Sequence, residues 1–309
     1  MQKIVLSEFC ELLDLEVLYD KGEEYIKLVS PFITRPGIQL TGFYDYFDND
    51  RIQFIGNVEH AYLEHLTNEE RFIRLRDLFS QRVPCVILTK GIDNVSDYVR
   101  AAKSCNMLLL KSKHNTNRSI NTTVTYLEEL FAPKKQSHGV FLDVSGIGIL
   151  ITGRSGIGKS EIALDLVQRG HRLVADDLVT LTRKRDRIEG SCPKILQYFM
   201  EIRGVGIIDI RALFGMGSVR EKKMVDLVVE VEKWDIKKHY ERLGTEYQTQ
   251  DILGIKINKL TVPVVPGRNM AAIVETIARN YRVTSMNYNA GKEFCERVEK
   301  YNNDHNLWK

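Results

Sequence analysis

The chain has 309 residues, of which 43% are apolar and 28% are charged. These fractions are typical of a soluble globular protein and exclude disordered and fibrous classes, and the length suits two ordinary domains. The formal net charge of +3 is too small to indicate nucleic-acid binding. No apolar run approaches the roughly 20 residues needed to span a bilayer. Neither a nucleic acid nor a membrane is therefore expected as a partner.

The cysteines and the N-terminus predict a cytoplasmic protein. The five cysteines lie far apart and none forms a C-x-x-C pair, which argues against a disulfide framework and a zinc site. Glu8 and Glu11 interrupt the apolar stretch at the start of the chain, unlike the apolar region of a signal peptide.

The first 131 residues predict a small α/β domain. Short apolar runs that predict strands alternate with segments of helical pattern. The predicted strands are at 86–88 and 107–110, and the predicted helices are at 62–66, 72–78, 95–104 and 120–131. Such alternation favours a sheet that is at least partly parallel. The polar segment 132–137, which contains Pro133, then predicts a linker. We place the domain boundary there, giving domains of residues 1–131 and 132–309.

The second domain opens with a predicted hairpin and the most informative motif of the chain. Apolar strands at 140–144 and 147–152 flank a Ser145-Gly146 turn. Residues 153–160 then match the P-loop pattern G-x-x-x-x-G-K-[ST] in full, reading Gly153, Arg154, Ser155, Gly156, Ile157, Gly158, Lys159 and Ser160. A helical pattern over 161–168 follows, with Gly170 placed as its C-terminal glycine. Strand, loop and helix therefore occur in the order that a phosphate-binding loop requires.

The residue types of this loop suit a nucleotide phosphate. Glycines allow successive N–H groups to point into one concavity, and the helix N-terminus adds partial positive charge. Lys159 is expected to reach the β and γ phosphates, and Ser160 offers a hydroxyl ligand to Mg²⁺.

Candidate catalytic acids follow the next predicted strand. Asp176 and Asp177 end the strand 171–175, where an acid beside a P-loop commonly serves Mg²⁺. Adjacent strand residues point to opposite sides, so one acid could face the metal and the other the nucleophile. The alternative is a solvated strand end. His138 precedes the first strand of the domain, and a lone histidine is by itself more often a surface or core residue than a functional one.

Three further segments contain candidate ligands. In an extended segment Glu201 and Arg203 would share a face, as a carboxylate for Mg²⁺ and a guanidinium for phosphate, or as a structural ion pair. Arg242 is a further candidate. Arg268 lies in a loop rich in Pro and Gly, which could hold its guanidinium toward phosphate, although a surface role is open. Asn269 is a predicted N-cap of the helix that follows.

These motifs together resemble the HPr kinase/phosphorylase family over the whole chain. His138, the P-loop, the acidic pair and the segments 200–209 and 263–269 occur in the family's order and at its spacings. The resemblance implies an α/β protein of two domains. A small N-terminal α/β domain, expected from the resemblance to serve assembly or regulation, would precede a C-terminal P-loop kinase domain similar to phosphoenolpyruvate carboxykinase.

The resemblance also implies an activity and its partners. The enzyme would phosphorylate a serine of the phosphocarrier protein HPr, with ATP or pyrophosphate as donor and Mg²⁺ as cofactor, in carbon catabolite control. With inorganic phosphate it would remove that phosphate by phosphorolysis, giving pyrophosphate. A cytoplasmic homohexamer that responds to a sugar phosphate such as fructose 1,6-bisphosphate is expected.

The family's roles transfer to matching positions. Asp177 would be the general base and, in reverse, the proton donor, with His138 as its catalytic partner. Lys159 would bind phosphate, Arg242 would be a catalytic arginine, and Ser160 and Glu201 would serve Mg²⁺. The chain departs from the family at Val265, where a basic residue is usual, which makes phosphorolysis a weaker expectation than the kinase.

Two other hypotheses remain at the sequence level. A metabolite kinase or carboxykinase-like enzyme on the same scaffold would need no protein acceptor. A nucleotide sensor without catalysis would be expected to lack Asp177 or Glu201, and both are present.

Overall fold

The computed structural model describes residues 1–238, 240, 247–265 and 267–305, without the side chains of 303–305. It divides into two compact units, Met1–Ala132 and Pro133–Lys309, here called unit 1 and unit 2. No helix among the described residues is long and apolar enough to cross a bilayer.

Unit 1 is an α/β unit. Its strands are β1 Gln2–Val5, β2 Leu15–Tyr19, β3 Tyr25–Leu28, β4 Ile33–Thr34, β5 Ile52–Ile55, β6 Val86–Leu88 and β7 Leu109–Ser112, and its helices are α1 Leu6–Leu13, α2 Asn57–Glu64, α3 Asn68–Phe79, α4 Ser96–Cys105 and α5 Thr116–Phe131. A five-stranded sheet has the order β2-β7-β6-β5-β4, in which β4 to β7 are parallel and β2 is antiparallel.

Buried strands explain why this sheet carries helices on both faces. Alternate residues of a strand point to opposite faces, and in β6 Val86 and Leu88 join one buried cluster while Ile87 joins another. The predicted helices and strands of this unit are confirmed in type. Helix α5 begins four residues earlier than predicted. Its first turn is polar and therefore has no apolar pattern to detect. The helix starts there because Asn115 caps it, accepting from the Arg118 N–H at 3.0 Å.

The described part of unit 2 contains two large sheets and a two-stranded sheet of residues 199–202 and 206–209. Its strands are β8 Lys134–His138, β9 Val140–Val144, β10 Ile147–Gly153, β11 Arg172–Ala175, β12 Leu178–Lys184, β13 Arg187–Ser191, β14 Phe199–Ile202, β15 Gly206–Asp209, β16 Lys222–Met224, β17 Leu227–Lys233, β18 Gln248–Ile252 and β19 Ile255–Val264, and its helices are α6 Lys159–Gln168, α7 Ile210–Phe214, α8 Met270–Thr284 and α9 Ala290–His305. The larger sheet has the order β11-β9-β10-β17-β19-β18 and the smaller β16-β13-β12-β8. Strands β10, β17 and β19 are parallel.

Two buried layers hold unit 2 together. One cluster joins residues of the larger sheet to apolar residues of α6 and α8. The other contains Phe141 and Leu150 of the larger sheet with Leu181 and Ile188 of the smaller one. Gly190 allows close packing here, because a Cβ at this position would lie 2.4 Å from the fully buried ring of Phe141.

The predicted hairpin is confirmed. Strands β9 and β10 pair antiparallel, and both turn residues have positive φ, 52° at Ser145 and 88° at Gly146, as a type I′ turn requires. The helix predicted after the P-loop is α6, and Gly170 follows it with φ 90°.

The prediction that residues 132–137 form a linker is partly wrong. Residues Lys134–His138 form β8, an edge strand paired antiparallel with β12. Four of its five side chains are exposed, so its stability comes from backbone hydrogen bonds and it has no apolar pattern to detect.

Candidate phosphate-binding site

The P-loop connects the end of β10 to the start of α6. Gly158 caps the helix with φ 99°, a conformation that glycine adopts without strain. Gly153 must be glycine because a Cβ there would lie 2.3 Å from the Val231 carbonyl oxygen of β17. Lys159 folds back over the loop, its Nζ donating to the carbonyl oxygens of Gly153 and Arg154 at 3.1 and 3.2 Å. The ammonium group is thereby held at the phosphate concavity.

Asp176 is a buried carboxylate that joins the loop to β14. Only 5% of the residue is exposed. Its Oδ1 accepts from the Ser160 hydroxyl at 3.0 Å, and its Oδ2 accepts from the Glu201 N–H at 3.2 Å. Burial raises the pKa of Asp176 above its ordinary value, and these two hydrogen bonds oppose the rise. The acid thus fixes the positions of two predicted metal ligands.

Asp177 and His138 lie beside each other where the chain passes between the sheets. Asp177 leads from β11 to β12, and His138 leads from β8 to β9. The Gly139 N–H donates to the Asp177 carbonyl oxygen at 3.0 Å, which ties the two crossings together. His138 Nδ1 lies 3.9 Å from Asp177 Oδ1, and both side chains are more than 80% exposed, at 84% and 83%. Both side chains are therefore accessible from outside the described chain.

Asp177 has a left-handed backbone, with φ 63°. Such a conformation is uncommon for a residue other than glycine and costs about 1–2 kcal/mol. It sends the side chains of the two adjacent aspartates into different environments, one buried and one exposed.

The expectation for Glu201 and Arg203 is wrong in one respect. Glu201 lies on β14, but Arg203 lies in the turn between β14 and β15 and not on the same extended face. The hairpin still brings Arg203 to the loop, because a Cβ built on Gly156 would lie 3.0 Å from its Nη1. The arginine is therefore placed over the P-loop by a tight turn that the sequence periodicity did not show.

A cavity of 130 Å³ collects most of the predicted residues. Its lining comprises Val140, Ser155, Gly156, Gly158, Lys159, Ser160, Glu161, Asp176, Asp177, Glu201 and Arg203. Larger cavities exist elsewhere, of 330 Å³ in unit 1 and 410 Å³ at the opposite end of β10. The chemistry of the lining, and not the size, identifies this one as the candidate site.

Of the two remaining predicted arginines, the structure describes Arg268, which is not brought to this cavity. Arg268 follows β19, is exposed, and donates its N–H to the Val265 carbonyl oxygen at 3.2 Å. It is absent from the residues that line the cavity in the described part of the chain. Arg242 lies outside the described residues. The predicted N-cap is confirmed, since Asn269 Oδ1 accepts from the Ala272 N–H at 2.8 Å.

The oxygen donors around Asp176 fit Mg²⁺. Ser160, Asp176 and Glu201 offer a hydroxyl and two carboxylates, the ligands that this hard cation prefers. No cluster of three or more His, Cys, Asp or Glu capable of holding a metal occurs among the described residues. Mg²⁺ commonly uses one or two carboxylates together with substrate phosphates and water, so the donor set suits a site that the nucleotide completes.

Cys192 is a neighbour of the site that the sequence did not indicate. Burial, and to a smaller extent the charge of Asp176, raises the pKa of its thiol to about 11. No motif contains Cys192, and only the folded arrangement of the strands places it near the acid.

A P-loop whose lysine and serine lie beside strand-end aspartates defines a phosphotransferase that uses a nucleotide or another phosphate substrate. Comparison with known proteins gives the family. The family model for the HPr Serine kinase C-terminal domain matches residues 129–298, and the model for the HPr Serine kinase N terminus matches residues 4–127. The chain belongs to the HPr serine kinase family, which confirms the resemblance and the two-domain α/β class.

Individual relatives match nearly the whole chain. A protein from Peptoclostridium acidaminophilum named HPr kinase/phosphorylase is 44% identical over 300 residues, with 97% of each chain covered. A Clostridium acetobutylicum protein of the same name is 45% identical over 280 residues, covering 91% of this chain and 92% of its own. The solved structure of the HPr(Ser) kinase/phosphatase from Coxiella burnetii is 37% identical in sequence, with a TM-score of 0.47. The match covers 52% of this chain and 98% of that chain.

Proposed function

We propose that this protein is a bifunctional serine kinase and phosphorylase of HPr. It transfers a phosphoryl group from ATP or pyrophosphate to a serine of HPr, and removes it with inorganic phosphate to give pyrophosphate. The observation that carries the proposal is the exposed Asp177 carboxylate, which lines the same cavity as Lys159 and Ser160. Full-length relatives named HPr kinase/phosphorylase support it.

Proton transfer is assigned to Asp177. Its exposed carboxylate is accessible to a seryl hydroxyl on a folded protein, and it accepts the proton in the forward direction. In phosphorolysis the same carboxyl group returns the proton to the serine oxygen, as microscopic reversibility requires. His138, 3.9 Å from Asp177, positions and supports this group.

Charge on the transferred group is balanced by cations of the loop. Lys159 and Arg203 both line the cavity, and fixed positive groups at the transferring phosphoryl are usually the largest catalytic contribution. Ser160, Asp176 and Glu201 would hold Mg²⁺, which neutralises phosphate charge when bound. Arg242 and Arg268 are assigned to the same reaction on the family resemblance.

The wider properties follow from family membership. Residues 1–131 are proposed to serve assembly or regulation, and residues 132–309 to contain the catalytic domain. The enzyme is proposed to act in the cytoplasm as a homohexamer whose activity responds to a sugar phosphate such as fructose 1,6-bisphosphate, within carbon catabolite control.

The direct test uses purified HPr, labelled ATP and Mg²⁺, followed by phosphoserine analysis. Addition of inorganic phosphate should then release the label as pyrophosphate. Labelling without release would mean that the protein is a kinase without phosphorylase activity, and would link Val265 to the loss of phosphorolysis. Absence of labelling despite tight ATP binding would favour a metabolite kinase.

Asp177→Asn is the matching variant. The rates of phosphorylation and of phosphorolysis should both fall by about 100-fold or more, the range expected for loss of a general base. The affinity for the nucleotide should stay within about threefold of wild type. Asp186→Asn, at an acid in the β12–β13 turn, is the control and should behave as wild type. A kinase rate in Asp177→Asn close to wild type would refute the general-base assignment.

A further inference from the structure

An aromatic pair of an exposed tryptophan and a partly buried tyrosine follows β17, the strand next to the P-loop strand. Trp234 comes directly after Lys233, the last residue of β17, and 50% of it is exposed. Its ring stacks on Tyr240, with centroids 5.0 Å apart and an interplanar angle of 25°. An indole left half exposed in this way contributes little to a core and is available to a planar ligand.

The pair is held in place by its own segment. Glu232 accepts from Lys238 Nζ at 2.6 Å and from the Tyr240 hydroxyl at 3.0 Å. The Asp235 N–H donates to the same hydroxyl at 3.1 Å. These contacts tie Tyr240 to Glu232 and Asp235, on either side of Trp234 in the chain, with its ring stacked on the indole.

Strand pairing places the pair at the phosphate-binding edge of the sheet. Strands β10 and β17 are parallel, and Gly153 at the start of the P-loop lies opposite Val231. Trp234 is three residues beyond Val231, so it leaves the sheet at the same carboxyl edge as the P-loop. Ligands of open parallel sheets bind at this edge.

The strand order gives the direction in which a nucleotide must lie. In the series β11-β9-β10-β17 the P-loop strand lies between the acids after β11 and the aromatic pair after β17. The transferred phosphoryl must lie close to Asp177. The rest of the nucleotide therefore extends the other way, from the P-loop toward β17, and neighbouring strands are only about 4.8 Å apart.

We infer that Trp234, supported from behind by Tyr240, is the stacking platform for the base of a purine nucleoside triphosphate. The inference rests on the proposed function only in that the triphosphate occupies the P-loop. Base–aromatic stacking needs no hydrogen-bond code, because every base has a π-face. The platform would therefore make a nucleotide bind more tightly than a polyphosphate without a base, and would discriminate only weakly between ATP and GTP.

The test compares donors that have a base with donors that lack one. Trp234→Ala should raise the KM for ATP about 10-fold, within the range of stacking contributions, with kcat at saturation within about twofold. The KM for pyrophosphate, which has no base, should stay unchanged. Trp234→Phe should retain most of the ATP affinity. Ile236→Ala is the matched control, since Ile236 lies on the same segment, is 87% exposed and has no aromatic ring.

Binding measured without HPr separates this inference from the proposed function. Calorimetric titration of wild type, Trp234→Ala and Trp234→Leu with ATP, GTP and tripolyphosphate requires no phosphotransfer. A selective loss of ATP and GTP affinity supports the platform even if HPr proves not to be the substrate. Trp234→Leu keeps apolar bulk and carries the test if the alanine variant fails to fold.

Three results would overturn the inference. An equal loss of ATP and tripolyphosphate affinity would mean that the pair shapes the phosphate loop. Unchanged ATP affinity in both Trp234 variants would place the base elsewhere. A raised KM for HPr with normal ATP affinity would mean that the aromatic pair contacts the protein substrate.

Discussion

At the residue scale, Ser160 shows how one hydroxyl can serve two partners. Its Oγ donates to the buried Asp176, which leaves its lone pairs free to face a cation. The P-loop motif predicted this serine as a ligand because its spacing is local in the sequence. The hydrogen bond to Asp176 could not be predicted, since it depends on how β11 pairs with β9 beside the loop.

Ser160→Ala should therefore reduce the effect of Mg²⁺ on ATP binding. Loss of a ligand, or of the group that orients one, typically costs 10–100-fold in metal affinity. We expect the gain in ATP affinity on adding Mg²⁺ to fall by about 10-fold, while affinity in the presence of a chelator is unchanged. Calorimetry with and without Mg²⁺ measures both quantities.

Ser155→Ala is the control for this variant. Ser155 lines the same cavity, and the backbone N–H groups of the loop stay in place in both variants. An equal Mg²⁺ effect in Ser160→Ala and wild type would remove the hydroxyl from the metal site.

His171 gives a pH dependence of stability. The residue directly precedes β11 and is 8% exposed. Burial lowers the pKa of its imidazole, against the smaller raising effect of Glu275. The unfolded chain binds this proton more tightly than the folded one. Its contribution to stability is therefore complete above a pH of about 6.5 and declines as the pH falls toward the lowered folded pKa.

Urea midpoints at pH 7.5 and 5.5 measure this contribution. The urea midpoint of the wild type should be lower at pH 5.5 than at pH 7.5, and the decrease should be smaller in His171→Gln. His138→Gln, at an 84% exposed side chain, should keep the wild-type difference. A fall of the same size in wild type and His171→Gln would assign the pH dependence to other groups.

At the element scale, apolar periodicity predicted several elements with a buried face, although the buried strands β5 and β17 were not predicted. The β9–β10 hairpin, α6 and α8 each have apolar residues at regular spacing. Strand β8 is mostly exposed, and the turn that holds Arg203 comes at a Gly204 with φ 83°. Edge strands and tight turns are stabilised by backbone hydrogen bonds and allowed φ values, which leave little pattern in a single sequence.

The contact between the two sheets of unit 2 depends on Gly190. Gly190→Ala would place a methyl group 2.4 Å from the Phe141 ring, which has no exposed surface. Overpacking of this kind typically costs about 1–3 kcal/mol. Urea denaturation should show the loss, while Gly217→Ala, with nothing within 4 Å of the added methyl, should stay within about 0.5 kcal/mol.

The Gly190 prediction has an internal check. Phe141→Leu should recover part of the stability lost in Gly190→Ala, because contacting residues give non-additive effects. Strictly additive losses in the double variant would mean that the two sheets separate at this point without resistance.

At the scale of the whole molecule, all the described residues that line the phosphate cavity belong to unit 2. Alternating strand and helix signals were sufficient to predict two α/β regions. Neither the assembly of several chains nor the role of unit 1 could be derived from them, because unit 1 has no motif of its own and surface complementarity leaves no period in the sequence.

A fragment of residues 133–309 should fold and bind ATP with an affinity within about threefold of the full chain. Its own buried clusters comprise apolar residues of both sheets and of α6 and α8, enough for an independent core. Circular dichroism and calorimetry on the fragment measure these two properties. A folded fragment without ATP affinity would show that unit 1 contributes to the nucleotide site.

The location of His138 and Asp177 at adjacent crossings between two sheets has a mechanical consequence. The two crossings, joined by the Gly139–Asp177 hydrogen bond, tie the smaller sheet to the larger one near its β8 edge. At the opposite edge only two residues separate β16 from β17 of the larger sheet, and the Asp226 N–H donates to the Gly148 carbonyl oxygen at 2.8 Å. A sheet fastened at both edges cannot rotate against its neighbour, so the proton-transfer pair sits on a rigid frame.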